Sequence, residues 1–140
     1  MPSVFSQIVE GKLPAYKIAE TQDYLAFLDI RPLVRGHTLA IPKKEVDYLL
    51  DLEEELYVGL WLFAREVARA IQAAIPCERV AFAVVGLEVP HAHIHLVPIR
   101  SMADLNFQNP RLELSPEEFE ATAKAIQAKL REFHPQRTVS

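Results

Sequence analysis

The chain has 140 residues, half of them hydrophobic, with 15 basic and 19 acidic side chains giving a formal charge of −4. That length suits one domain over residues 1–140 that buries about two-thirds of its unfolded surface. The acidic balance excludes a nucleic-acid partner, which would need a basic stripe, and a lone cysteine, Cys77, excludes an internal disulfide and fits a reducing compartment. Met1 to Lys12 lacks the charged-then-apolar layout of a signal peptide, and no apolar run approaches transmembrane length. A cytoplasmic protein with no membrane partner is the expectation.

In chain order, Ser3 to Glu10 reads as a short helix, capped by Ser3, with Phe5, Ile8 and Val9 on one face and Gly11 ending it. Tyr16–Glu20 and Tyr24–Asp29 are strand-like runs separated by the hairpin signal Thr21-Gln22-Asp23. Arg31–Gly36 is a loop, and His37–Ile41 alternates until Pro42 closes a strand. The longest helical pattern runs from Asp51 to Ile75, with Asp51 and Glu54 placed as a capping pair and Leu52, Leu56, Phe63, Val67 and Ala74 on one stripe. Gly59 costs that helix about 1 kcal/mol against Ala; a close helix or subunit contact and plain tolerance both account for it. Val80–Val85 is almost wholly apolar and predicts a central buried strand, turned back by Gly86–Pro90 onto the segment that follows. Ser115-Pro116-Glu117-Glu118 then opens a last helix whose face is Phe119, Ala123, Ile126, Leu130 and Phe133. The fold class is α+β: a five-stranded, mostly antiparallel sheet with one long helix, a short N-terminal helix and a C-terminal helix.

The segment after Pro90 is where the chemistry concentrates. His91, His93 and His95 alternate with Ala92, Ile94 and Leu96. In an extended strand these rings project from one side, about 6.5–7 Å apart, while the residues between pack on the core. Imidazole titrates nearest neutral pH and serves as nucleophile, acid, donor or metal ligand. Three readings stand open: solvent-facing decoration, a zinc site using two of the rings, and an enzyme with one nucleophilic imidazole among donors to an oxyanion. His37, opening its strand after Arg35-Gly36, is the candidate fourth member; His134, at the end of the last helix, suits the helix dipole and reads as unrelated.

The run His91-Ala-His93-Ile-His95-Leu-Val97 resembles the signature of the histidine-triad (HIT) family. Upstream, Phe5-Ser-Gln-Ile8-Val-Glu-Gly11-Lys-Leu-Pro14-Ala, Leu25-Ala-Phe27-Leu-Asp29-Ile30-Arg-Pro32 and Gly36-His37-Thr-Leu-Ala-Ile-Pro42-Lys43 are similar to family blocks in the family's order. The motif-bearing core is 3–99, and 100–140 is the variable region. The resemblance implies a HIT-like homodimer that acts on the α-phosphoryl group of a purine nucleotide derivative, a phosphoramidate or adenylate, with no cofactor. It implies His93 as the nucleophile forming a nucleotidyl-histidine, with His91, His95 and His37 as donors around the phosphate. It assigns Asp29 to the ribose hydroxyls, and Phe5, Ile8, Phe27 and Ile30 to the base pocket. The alternatives are a nucleotide-binding module with little turnover and a dinucleoside polyphosphate hydrolase.

Three departures from the family pattern matter. Where some relatives hold a structural zinc with a Cys-x-x-Cys pair and a histidine, this chain has Ser3, Ser6 and Glu45, so no metal is expected there. Val84-Val85-Gly86 supplies no side-chain donor before the triad. Glu88 stands where a hydroxyl or amide usually faces the phosphate, and a carboxylate repels a phosphate oxygen unless it is protonated or turned onto a histidine or ribose.

Overall fold

The computed structural model describes residues 2–137. Helix α1 (Val4–Val9) opens the chain, with the Ser3 hydroxyl capping it by accepting from Ser6 N at 2.9 Å. Strands β1 (Lys17–Glu20) and β2 (Tyr24–Leu28) form the expected hairpin, held at its turn by Thr21 Oγ1, which accepts from Tyr24 N at 3.0 Å. Then come β3 (Thr38–Pro42), α2 (Glu54–Ala74), β4 (Arg79–Ala83), β5 (Ile94–Ile99) and α3 (Pro116–Phe133). Ser115 and Glu118 cap the start of α3 reciprocally, with Pro116 in its first turn, as their spacing predicts. The strands pair antiparallel throughout, in the order β1-β2-β3-β5-β4.

Side-chain alternation divides the sheet into two faces with different tasks. Ala26, Leu28, Ala40, Ile94 and Leu96 join α2 and α3 in the main core, and Ala92 continues that row. Leu25, Phe27, Leu39 and Ile41 point the other way and pack under Phe5 and Ile8 of α1. The odd-numbered histidines therefore face the α1 side, opposite the two long helices. Among the described residues, no helix is long and apolar enough to cross a membrane.

Three elements differ from expectation. Strand β5 starts at Ile94, so His91 and His93 lie in an extended lead-in, not in the ladder. The reason is Pro42: it has no N–H to donate, and its carbonyl is taken at 2.8 Å by the His91 ring. Helix α2 begins at Glu54 behind Glu53, not from an Asp51 cap. A 3-10 turn, Leu49–Asp51, comes first because it folds Leu49 and Leu52 into the core. Strand β4 is an edge, not a central strand; β5 lies between it and β3. Its apolar run serves one face, where Phe82 stacks on Trp61 of α2 at 5.9 Å, and Val84 and Val85 lie beyond the strand, exposed.

Gly59 is explained within the subunit. A Cβ there would collide with the Tyr24 hydroxyl, which donates to Leu56 O at 3.1 Å and ties β2 to α2. Overpacking costs about 1–3 kcal/mol, more than the roughly 1 kcal/mol that alanine returns in helix propensity. Gly59→Ala is expected to lower Tm by a few degrees, measured by thermal unfolding; an unchanged or raised Tm would show that the Tyr24 contact yields freely.

Candidate functional site

Four of the imidazoles sit together, and backbone groups decide where each carries its proton. A neutral imidazole has one N–H and one lone pair. Leu33 N donates to His37 Nδ1 at 3.0 Å, so His37 holds its proton on Nε2 and donates it to His95 Nδ1, also at 3.0 Å. His95 in turn keeps its proton on Nε2. His91 Nε2 donates to Pro42 O at 2.8 Å, leaving Nδ1 to accept from the Ser3 hydroxyl at 2.8 Å. His93 Nδ1 donates to His91 O at 2.7 Å, which leaves a free lone pair on His93 Nε2. The arrangement is consistent from end to end, with no ring asked to donate twice.

Burial favours the neutral state of His37, His91 and His95. His37 and His91 are fully buried, and His95 nearly so. Desolvation, then the neighbouring His95, push His37 down to about 3. Desolvation, then His93, push His95 down to about 4, and burial also lowers His91. Asp29 moves the other way: burial raises its carboxyl, against the Arg31 N–H that it accepts at 2.8 Å. Its Oδ2 lies 3.6 Å from His37 Nε2.

Two adjoining cavities open on this cluster. A polar one of about 480 Å³ is reached by His93, His95, Asp29, Glu88, Arg31 and Arg111. An apolar one of about 270 Å³ is walled by Phe5, Ile8, Phe27 and Ile30, the four residues expected together. Phe5, Asp29 and Leu39 border both. Phe5 meets the His93 ring edge-on at 5.1 Å. The expected residues thus divide into two layers: His93, His95, Asp29 and Glu88 line the polar cavity, while His37 and His91 lie behind it and reach it only through their neighbours. His134 is remote; it ends α3, 3.9 Å from Glu66.

Sequence reasoning missed the wall formed by residues 107–111. Phe107 packs edge-on against His95 at 4.8 Å, and Arg111 lies over Phe107 at 5.7 Å. No periodicity or motif marks this segment; a loop with one aromatic and one arginine gives no local signal.

The metal question can be tested on the donors. Ser3 N and the Ser6 hydroxyl both donate to Glu45 Oε1 at 2.6 Å, and the Ser3 hydroxyl donates to His91. Two neutral hydroxyls and a carboxylate whose acceptor is already used do not fit a structural zinc, which takes thiolate, imidazole or free carboxylate. Among the described residues, Asp29, His37 and His95 bring ligating atoms within 4.8 Å of one another. Both His37 nitrogens are already engaged, however, so a metal there would have to break the Leu33 bond.

The fold is α+β, with histidines ordered on one sheet face beside adjoining polar and apolar cavities, the setting in which small-molecule sites usually form. The HIT domain model matches residues 10–102, and the chain belongs to the HIT family. It is 32% identical over 137 residues to an adenosine 5′-monophosphoramidase of Schizosaccharomyces pombe, covering 94% of this chain and 100% of that protein. An uncharacterised HIT-like protein of Mycobacterium tuberculosis is 34% identical, covering 93% of this chain and 94% of the other. The crystal structure of a zinc-bound histidine triad family protein from Mycobacterium smegmatis superposes with a TM-score of 0.81 at 32% identity, covering 94% and 95% of the two chains.

The shifted protonation equilibria set the acid stability. His37 and His95 bind protons more weakly folded than unfolded, so their contribution is complete above about pH 6.5 and is lost as pH falls through about 4 for His95 and about 3 for His37. Glu45, lowered to about 2 by the Ser3 N–H and the Ser6 hydroxyl, contributes above about pH 4.5 and loses that contribution below it. Tm followed by circular dichroism should fall from pH 7 to pH 4 and fall further below pH 4.5; a flat profile would contradict buried neutral rings. At neutral pH, Glu45→Ala should lower Tm by several degrees, whereas Glu45→Gln, which keeps an acceptor oxygen, should stay closer to native.

Proposed function

We propose that the protein hydrolyses a purine nucleotide derivative, a phosphoramidate or adenylate, at its α-phosphorus through a nucleotidyl-histidine. The observation that carries this reading is the bond from His93 Nδ1 to His91 O beside the polar cavity. It leaves an unprotonated Nε2 as nucleophile with its ring orientation fixed. That nitrogen attacks phosphorus, and the P–N or P–O bond breaks with its electron pair on the leaving group, which takes a proton from solvent in the open cavity. Water then attacks phosphorus and loses a proton, the bond to His93 breaks, and the nucleoside monophosphate is released. The kinship with a phosphoramidase of fission yeast supports the same class of chemistry.

Each further residue has a role in this reading. His95 donates from Nε2 to a phosphoryl oxygen, and His37 holds His95 in that tautomer. His91 orients the nucleophile through its carbonyl. Asp29 accepts from the ribose hydroxyls, and Phe5, Ile8, Phe27 and Ile30 enclose the purine. Glu88 faces the same cavity without an ion-pair partner among the described residues. That carboxylate favours the second reading, a nucleotide-binding module with little turnover; a dinucleoside polyphosphate is the other candidate substrate. We read the protein as cytoplasmic, with no nucleic-acid partner.

A homodimer is part of the same proposal. Edge strand β4 carries Phe82 at 36% exposure, and α2 presents Val58 and Leu62, one turn apart and each 48% exposed. An unpaired edge beside apolar side chains is a surface that a second sheet would cover. Light scattering should give twice the chain mass, and Phe82→Lys should shift it toward the monomer; a monomeric native protein ends this part of the reading.

Incubation with adenosine 5′-phosphoramidate should release AMP, and His93→Ala should reduce the rate by at least ~10³-fold, as for loss of a nucleophile. Tight AMP binding with no release by native protein would instead establish the binding module.

A further inference from the structure

The polar cavity is larger than one phosphoryl group needs, and its far wall is built from charge. Arg111 is held there by three contacts. Its Nη1 donates to Arg31 O at 2.7 Å, its guanidinium lies over Phe107, and the next residue, Leu112, donates from its backbone to Pro32 O at 2.9 Å. The loop leading to it is ordered too. Arg100 N donates to Asp104 Oδ2 at 2.7 Å, and Asn109 Nδ2 donates to Ala103 O at 2.7 Å.

Among the described residues only one guanidinium nitrogen of Arg111 has a protein acceptor, so the others remain available. Neither Arg111 nor Arg31 has a carboxylate within ion-pair distance among the described residues. Arg111 is half-buried and Arg31 exposed, and the planar fork of a guanidinium matches carboxylate and phosphate oxygens. Arg111 also lies close enough to the reacting centre that Asp29, His37 and His95 all feel its charge. The remaining charged groups at this cavity are Glu88, which opposes an anion, and Asp29, which is bound to the Arg31 backbone.

We infer that Arg111, with Arg31 beside it, forms an anion-binding subsite for the leaving group, so that substrates with an anionic leaving group are favoured over otherwise identical neutral ones. This rests on the hydrolase reading, in which the base takes the apolar cavity and the α-phosphoryl group meets His93. The leaving group is then left to the space that Arg31, Arg111 and Glu88 enclose. Carboxylate and phosphate share the required chemistry. Glu88 sets how strong the preference is, because its charge acts against the same group.

The test uses two adenosine 5′-phosphoramidates that differ only in the leaving amine, glycine (anionic) or glycinamide (neutral). Native protein should show a kcat/KM ratio of ~10 in favour of glycine, the scale of one hydrogen bond to a charged group. Arg111→Gln should bring the ratio near 1, and Glu88→Gln should raise it. A native ratio near 1, or a ratio unmoved by Arg111→Gln, overturns the inference.

Affinities of the intact compounds for the His93→Ala protein, measured by calorimetry, test the subsite without chemistry and should show the same preference and the same loss in Arg111→Gln. No turnover with that binding preference intact would sink the hydrolase reading alone; equal affinities would sink the subsite. ADP is the third arm. It too should bind more weakly when Arg111 is replaced, and its affinity against that of the glycine compound identifies phosphate or carboxylate as the preferred anion.

Discussion

A neutral imidazole has one proton to share between two nitrogens, and the whole site is organised around that limit. Three fixed backbone groups, Leu33 N–H, Pro42 C=O and His91 C=O, each take one nitrogen of a buried ring. Once those choices are made, every other proton in the cluster is placed by exclusion. The His37–His95 bond runs one way, the Ser3 hydroxyl must donate, and His93 Nε2 is left bare. Charging His37 or His95 would put two donors face to face in a region shielded from water, and desolvation lowers the proton affinity of His37, His91 and His95 alike.

The sheet supplies the frame for this order by dividing its faces. Ala92, Ile94 and Leu96 are held under α2 and α3, and that packing aims the alternate residues at α1. The core residues and the histidines therefore share one extended segment without competing for the same side chains. On the far face, α1 is both roof and clamp: Phe5 and Ile8 wall the apolar cavity, while the Ser3 cap reaches His91. Glu45 gathers the Ser3 N–H and the Ser6 hydroxyl, so the helix start, the loop after β3 and the first triad ring form one hydrogen-bonded unit. Serine hydroxyls and a carboxylate achieve this by directional bonds, with no need for a metal.

The cavity is completed by a segment far along the chain. Residues 100–112 turn on Asp104 and Asn109 and return to the loop after β2, where Leu112 and Arg111 bond to Pro32 and Arg31. The result places Phe107 against His95 and the Arg111 guanidinium on the wall of the cavity that His93 and His95 line. On the proposed reading, selectivity for the leaving group belongs to this loop and not to the histidine scaffold.

Much of the fold is legible from local pattern. Alternation gave the histidine face, Ser115-Pro116 and Glu118 marked the start of α3, and Ser3 marked α1, because caps and periodicity depend on neighbours only a few residues away. Asp29 and the four apolar residues of the second cavity were reached through family likeness, since nothing in their spacing separates a pocket wall from ordinary core. The edge position of β4 was not legible: an apolar strand packed on one face reads like one buried on both, and only the order of pairing tells them apart. The same holds for Gly59, whose reason is a tyrosine 35 positions earlier in the chain. By itself the sequence determined which side chains alternate, where helices begin and that imidazoles crowd one segment. Tertiary structure alone decided which nitrogen of each ring holds the proton and which arginine faces the cavity, because the groups that settle both come from distant parts of the chain and meet only when it folds.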